Sequence, residues 1–134
     1  MIYSERYQTL ITGGKNGRIC LWDMRQRKLL AQKENAHDMN IKSLVLDPNT
    51  ESFLFSGSTD GCVKVWSLPS LELKENWVDQ HKTKSFIRKN TKQSFFTHNV
   101  STYGVMEVIL TDGNILTCGS DACLNQRNYH IIAK

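Results

Sequence analysis

No stretch of this chain stays apolar for the roughly 18 residues that a membrane-spanning helix needs. The N-terminal MIYSERYQTL places Glu5 and Arg6 where a secretory signal would carry its apolar run, so no secretory address is expected. No two of the four cysteines (Cys20, Cys62, Cys118 and Cys123) form a C-x-x-C pair, and no histidine pair accompanies Cys118 and Cys123. The usual zinc and dithiol signatures are therefore missing. Each cysteine sits in an alternating apolar segment, which predicts buried, reduced thiols acting as small hydrophobes in a cytosolic protein. Acid is missing locally: residues 82 to 98 contain none, while Lys82, Lys84, Arg88, Lys89 and Lys92 contribute five cations. The net charge of +4 thus belongs to one segment of the 134 residues. With 40% apolar and 22% charged residues, the composition is that of a globular chain, neither disordered nor membrane-spanning.

What is present is a repeat. Aligned on Asn16, Asp60 and Asp121, three copies read LITGGKNGRICLWD (residues 10–23), LFSGSTDGCVKVWS (54–67) and ILTCGSDACLNQRN (115–128). In each, an apolar strand meets a tight turn and a second strand follows. Asn16-Gly17 and Asp60-Gly61 are strong hairpin signals, either as two-residue type I′ turns or within a longer loop. Asp121-Ala122 fits less well, since alanine resists positive φ. Further strands are predicted over 28–34, 41–47, 71–77 and 105–111. The second unit is then a four-stranded meander (41–47, 53–58, 62–68, 71–77). The first is expected to lack its opening strand, and the third has little chain left for a fourth.

Val63 and Val65 point to one face of their strand and Trp66 to the other. Large apolar groups on both faces require a sheet stacked between sheets, and radial stacking of such units is a β-propeller. The spacing of 44 residues from Asn16 to Asp60 lies within the ~40–45 of WD-type blades. The expected fold class is all-β: a partial WD-repeat β-propeller of about three four-stranded antiparallel blades. Its expected division is a partial first blade over 5–35, a second over 36–78, a basic insertion over 79–103 and a partial third over 104–134.

His37 precedes the first strand of the second unit by a few residues, and Trp66 closes it. Here the chain resembles the WD-repeat family, whose blades join a histidine, a serine or threonine, an aspartate and a tryptophan by hydrogen bonds. By position, the resemblance implies the set His37, Ser56, Asp60 and Trp66. A buried carboxylate needs several donors, and an indole N–H needs an acceptor such as a hydroxyl. The expected role is structural. The first copy has Asn16 for the aspartate; the third has Asp121, with His81 a candidate partner and Arg127 in the tryptophan's place.

A narrower resemblance rests on LITGGKNGRICLWDMRQRKLL, HDMNIKSLVLDP, SGSTDGCVKVWSL, QHKTKSFIRKN and GVMEVILTDGNILTCGSD, in that order. Together they are similar to the C-terminal end of the DmX-like (rabconnectin) proteins. This implies a large cytosolic scaffold, peripheral to endosomal, vacuolar or vesicle membranes. Its implied partners are vacuolar proton-ATPase subunits and associated scaffold proteins, with a role in pump assembly and organelle acidification. The chain would be a piece of that scaffold, resting on further blades of a longer chain. Alone, it is expected to dimerise, aggregate or bind a hydrophobic dye. Residues 91–103 read as an insertion, and LNQRNYHIIAK fades from the pattern.

For chemistry, His37-Asp38 with Ser43 makes a triad on paper, but no nucleophile turn or oxyanion loop accompanies it. Gly13-Gly14-Lys15 is followed by a strand turn where a phosphate loop requires a helix. No enzyme activity, cofactor, metal or small-molecule substrate is expected. The basic segment (Lys82, Lys84, Arg88, Lys89, Lys92) with Phe86, Phe95 and Phe96 is read as a solvated loop ahead of any binding role; as an interaction segment it would suit an acidic protein surface or an anionic membrane as well as RNA. MRQRK (24–28) is read as exposed charge at a strand connection. The competing functional reading is a generic WD-repeat adaptor in RNA processing or ubiquitin transfer.

Overall fold

A computed structural model describes residues 1–78, 104–111, 114–119 and 123–128. Among these residues there are three antiparallel sheets and no helix. The first sheet runs β1 (Ile2–Ser4), β2 (Thr9–Gly13), β3 (Ile19–Asp23) and β4 (Lys28–Lys33) in spatial order. The second runs β5 (Ile41–Leu46), β6 (Phe53–Ser58), β7 (Val63–Ser67) and β8 (Glu72–Trp77). The third joins β9 (Val105–Thr111), β10 (Asn114–Gly119) and β11 (Leu124–Asn128), with β10 central.

The first unit does not lack its opening strand. Ile2, Tyr3 and Ser4 pair with Ile11, Leu10 and Thr9. A strand of three residues is too short to show alternation, and the polar Glu5-Arg6 pair after it reads as an interruption. Ser4 itself starts the turn, its Oγ accepting the Tyr7 amide at 3.3 Å.

The two inner hairpins are the longer loops, not two-residue type I′ turns. Gly14 N donates to Arg18 O at 2.9 Å and Gly17 N to Gly14 O at 3.2 Å. Ser58 N likewise donates to Cys62 O at 3.2 Å and Gly61 N to Ser58 O at 3.1 Å. Only the glycines take positive φ, 74° at Gly17 and 84° at Gly61, as in a type I turn closed by a left-handed residue. Asn16 and Asp60 keep ordinary φ, which lets their side chains fold back over the loop. The Asp121-Ala122 turn lies outside the described residues, as does the basic segment with Lys82, Lys84, Arg88, Lys89 and Lys92.

Two cores hold the sheets together. Ile11, Ile19 and Leu21 of the first sheet pack on Leu46, Leu54 and Trp66 of the second. Phe55, Val63 and Val65, on the second sheet's other face, pack on Val105, Val108 and Ile115 of the third. Alternation along β7 thus divides Val63 and Val65 from Trp66, one to each core. Gly57 permits the closer approach: a Cβ there would lie 2.7 Å from Val105 Cγ1 and 2.9 Å from Val108 Cγ2.

The expectation of buried thiols is corrected. Cys20, Cys62 and Cys118 are partly buried and Cys123 is exposed. Cys20 and Cys118 lie on the two outermost sheet faces and Cys123 follows a turn, so alternation placed them on strands but not against a neighbour.

Candidate functional site

At one end of the second sheet the β4–β5 loop passes over the β6–β7 turn. The structure brings His37, Ser56, Asp60 and Trp66 together there. His37 Nδ1 lies 3.0 Å from Asp60 Oδ2, and His37 Nε2 lies 2.7 Å from Ser56 Oγ. Trp66 Nε1 donates to Ser56 Oγ at 2.8 Å. An indole only donates and a carboxylate only accepts, which fixes the two ends of the chain of bonds. Trp66 N–H goes to Ser56 and His37 Nδ1–H to Asp60; between Ser56 Oγ and His37 Nε2 either atom can carry the hydrogen, since Lys64 O, 3.5 Å from Ser56 Oγ, offers the hydroxyl a second acceptor.

The backbone completes the set. Asp60 Oδ1 accepts the Cys62 amide at 2.9 Å and Oδ2 the Asp38 amide at 3.1 Å. Sequence reasoning named the four side chains and expected backbone amides to join the histidine on the carboxylate without saying which, and it gave Gly17 only its place in a turn. His37 N donates to Gly17 O at 3.0 Å, which ties the loop to the first sheet's turn. Lys64 Nζ adds a bond to Ala36 O at 2.6 Å.

Burial raises the Asp60 carboxyl. The His37 hydrogen bond, the Cys62 amide, the His37 charge and the Asp38 amide together outweigh that effect and bring its pKa down to about 2 from 3.8. A depressed carboxylate contributes stability that is complete above its unfolded pKa and is lost as pH falls through the folded one. Acid unfolding followed by tryptophan fluorescence should therefore show stability falling between about pH 4 and pH 2. The loss is on the order of 1–2 kcal/mol, allowing for solvent screening, and Asp60→Asn should remove this component of the pH dependence.

Ser56, His37 and Asp60 stand in the order of a hydrolytic triad, but Ser56 is 0% exposed and His37 1%. The serine oxygen already accepts the indole N–H, and no substrate reaches it while the sheets remain stacked. The paper triad with Ser43 is not assembled: Ser43 Oγ accepts the Val108 amide at 3.1 Å and serves the joint between the second and third sheets. Among the described residues, no three His, Cys, Asp or Glu converge as a metal site would require. Ser56→Ala should lower stability by about 2–3 kcal/mol, leaving a buried N–H and a buried ring nitrogen unpaired. Ser56→Thr should cost much less when both variants are titrated with urea, because Thr12 and Thr117 hold this place in the other two repeats.

The repeats reuse the set unevenly. In the first, Trp22 Nε1 donates to Thr12 Oγ1 at 3.0 Å and Asn16 Oδ1 accepts the Arg18 amide at 3.3 Å. In the third, Arg127 lies 4.7 Å over the Trp77 ring, a cation–π contact in place of the indole bond. A second clamp lies at the opposite end of the first two sheets. There Ser4 Oγ and Arg6 N donate to Glu51 Oε2, at 2.5 and 3.1 Å. The Ser4 bond first, and the Arg6 amide second, hold the Glu51 carboxyl below its ordinary pKa.

The WD domain, G-beta repeat family matches residues 28–67. That span starts on β4, crosses the His37 loop and ends with Trp66 and Ser67, so one sequence repeat bridges two sheets. The chain carries a WD repeat, and its stacked antiparallel sheets have the fold of WD-repeat propellers. This WD-repeat chain is 34% identical over 128 residues, 95% of its length, to DmX-like protein 1 of Mus musculus, and 32% identical over the same share to DmX-like protein 1 of Homo sapiens. It spans only 4% of the length of those relatives. Over 59 residues it is 42% identical to Protein ROOT INITIATION DEFECTIVE 3 of Arabidopsis thaliana, covering 44% of this chain and 13% of that protein. The fold matches Chaetomium thermophilum Sqt1, solved bound to the N-terminus of ribosomal protein L10, with a TM-score of 0.71 at 19% identity, over 95% of this chain and 30% of that one. The computationally designed Ika4 protein matches with a TM-score of 0.60 at 17% identity, over 90% and 60% of the two chains.

Proposed function

We propose that this WD-repeat chain is a non-catalytic protein-interaction scaffold that works, as part of a DmX-like assembly, in assembling and regulating the vacuolar proton ATPase. Its expected place is the cytosol, peripheral to acidic organelles. The observation that carries this reading is the 34% identity to DmX-like protein 1, which extends over 95% of the chain and well beyond the 28–67 repeat. The geometry supports a scaffold: the polar side chains with catalytic identities are spent on holding one loop against one turn. The lock fixes the shape of a surface that presents exposed Lys15, Asn16 and Asp38. The edge strands β4 and β8 are largely exposed.

Affinity purification of the tagged protein from cells, followed by mass spectrometry, tests the reading. Proton-pump subunits should be enriched. Enrichment of ribonucleoprotein or ubiquitin-ligase components, without pump subunits, would move the assignment to a general WD-repeat adaptor.

A further inference from the structure

The two joints between sheets differ at their outer rim. At the first joint the facing rows run outward from Leu21 to Ala31 on one wall and from Trp66 to Leu73 on the other. Leu21 and Trp66 are 2% and 1% exposed, yet Leu73 is 47% exposed. The sheets thus close on each other as far as Leu21 and Trp66 and part beyond them, leaving a notch between β4 and β8. Both walls are described strands of this chain, so the opening owes nothing to where the sequence begins or ends.

The second joint shows what a filled rim looks like. There Trp77 is 8% exposed, Arg127 of the third sheet lies 4.7 Å over its ring, and its indole donates to Glu75 Oε2 at 2.6 Å. Among the described residues, no ring, cation–π or hydrogen-bond contact crosses from β4 to β8.

The charge in the notch is one-sided. The ladder sets Lys28, Ala31 and Lys33 opposite Asp23, Leu21 and Ile19, on the face of β4 turned toward the second sheet. Both lysines are exposed, and among the described residues neither forms an ion pair. The nearby acids are engaged elsewhere. Asp23 accepts the Arg25 and Gln26 amides at 2.8 and 3.0 Å, and Glu34 pairs with Arg18 at 2.9 Å. On β8, Glu72 and Lys74 neutralise each other at 3.2 Å. The bulge at Leu30 takes up one residue, so Lys28 and Lys33 stand four strand rises apart, roughly 13 Å.

We infer that this notch docks an extended segment of a partner protein with the pattern acid-x-apolar-x-acid. The first, third and fifth residues of an extended chain point the same way, and the outer two are roughly 13 Å apart. The two acids meet Lys28 and Lys33, and the apolar residue enters between Ala31 and Leu73. A membrane is too flat to enter such a notch. The inference rests on the chain's being a protein-interaction scaffold and is independent of the proton-pump assignment, whose purification test does not depend on this outcome.

Fluorescence anisotropy on the 134-residue chain tests it, with a fluorescein-labelled peptide containing Glu-Thr-Leu-Thr-Glu. Saturable binding is expected, and weaker binding of the same composition rearranged as Thr-Glu-Glu-Leu-Thr, a comparison that needs no variant. Lys28→Glu/Lys33→Glu should weaken the first peptide by about tenfold or more, and Leu73→Ser should weaken it too. All three residues are exposed at the rim, so the circular dichroism should stay that of the wild type. The charge-matched Lys15→Glu/Arg25→Glu variant, altered outside the notch, should bind as the wild type does. No saturable binding by the wild type, equal affinity for the two peptides, or equal loss in the two charge variants would each overturn the proposal. So would adsorption to phosphatidylserine vesicles that the notch variant loses, without peptide binding.

Discussion

Asp60→Ala is expected to lower the unfolding free energy by on the order of 3 kcal/mol, with a fall of about 10 °C in the melting temperature. Three donors converge on this carboxylate: His37 Nδ1, the Asp38 amide and the Cys62 amide. Asp38 is exposed and water can replace its partner, but His37 is 1% exposed and its ring is shut off from water that could take the carboxylate's place. The loss is concentrated on the histidine and on the loop it anchors. Hydrogen exchange should accelerate first over residues 34–40 and 58–62, ahead of the strands. Asp60→Asn should cost less, because the amide oxygen can keep the Cys62 bond just as Asn16 keeps the equivalent Arg18 bond in the first sheet. Thermal unfolding of the three proteins at one concentration ranks them; equal melting temperatures for wild type and Asp60→Ala would remove Asp60 from the lock.

Gly17→Ala should be at least as damaging, at about 3 kcal/mol or more. Positive φ alone costs a non-glycine residue roughly 1–2 kcal/mol. Here φ is +74° and a Cβ would also lie 1.9 Å from His37 O and 2.6 Å from its carbonyl carbon. Both are backbone atoms, so no rotamer relieves the contact. The loop must lift, and with it go the His37 N–H to Gly17 O bond and the alignment of the imidazole with Asp60. A single methyl group on the first sheet's turn should therefore loosen the second sheet's lock. Urea unfolding provides the check, with Lys15→Ala on the same loop as the control expected to change little, since Lys15 is exposed.

These two residues show what the sequence reveals and what it conceals. Asp60 was legible because a WD-type blade needs an aspartate at a fixed distance from its tryptophan, and that periodic signal survives in a single chain. Gly17 was legible only as half of a turn. Its second role, making room for a carbonyl 20 residues further on, depends on how two sheets stack and leaves no local pattern. The opening strand Ile2–Ser4 was missed for a similar reason: three residues carry no period, and only pairing with Thr9–Ile11 makes them a strand. The thiols were misplaced because alternation tells which face a residue takes, not whether a neighbouring sheet covers that face. Arg127 in the tryptophan's place read as a departure from the repeat, and its stacking over Trp77 appears only once the second and third sheets are side by side.

The central claim is that the buried Ser–His–Asp arrangement is a structural lock acting as one unit, and a double-mutant cycle tests it most directly. Unfolding free energies would be measured in urea for wild type, His37→Ala, Asp60→Ala and the double variant, at one fixed protein concentration and pH 7. The account predicts a coupling energy of at least about 1 kcal/mol, the double variant costing far less than the two single losses added together. A coupling near zero would contradict it: the loop would then be held by its backbone contacts alone, and the polar side chains would need another role.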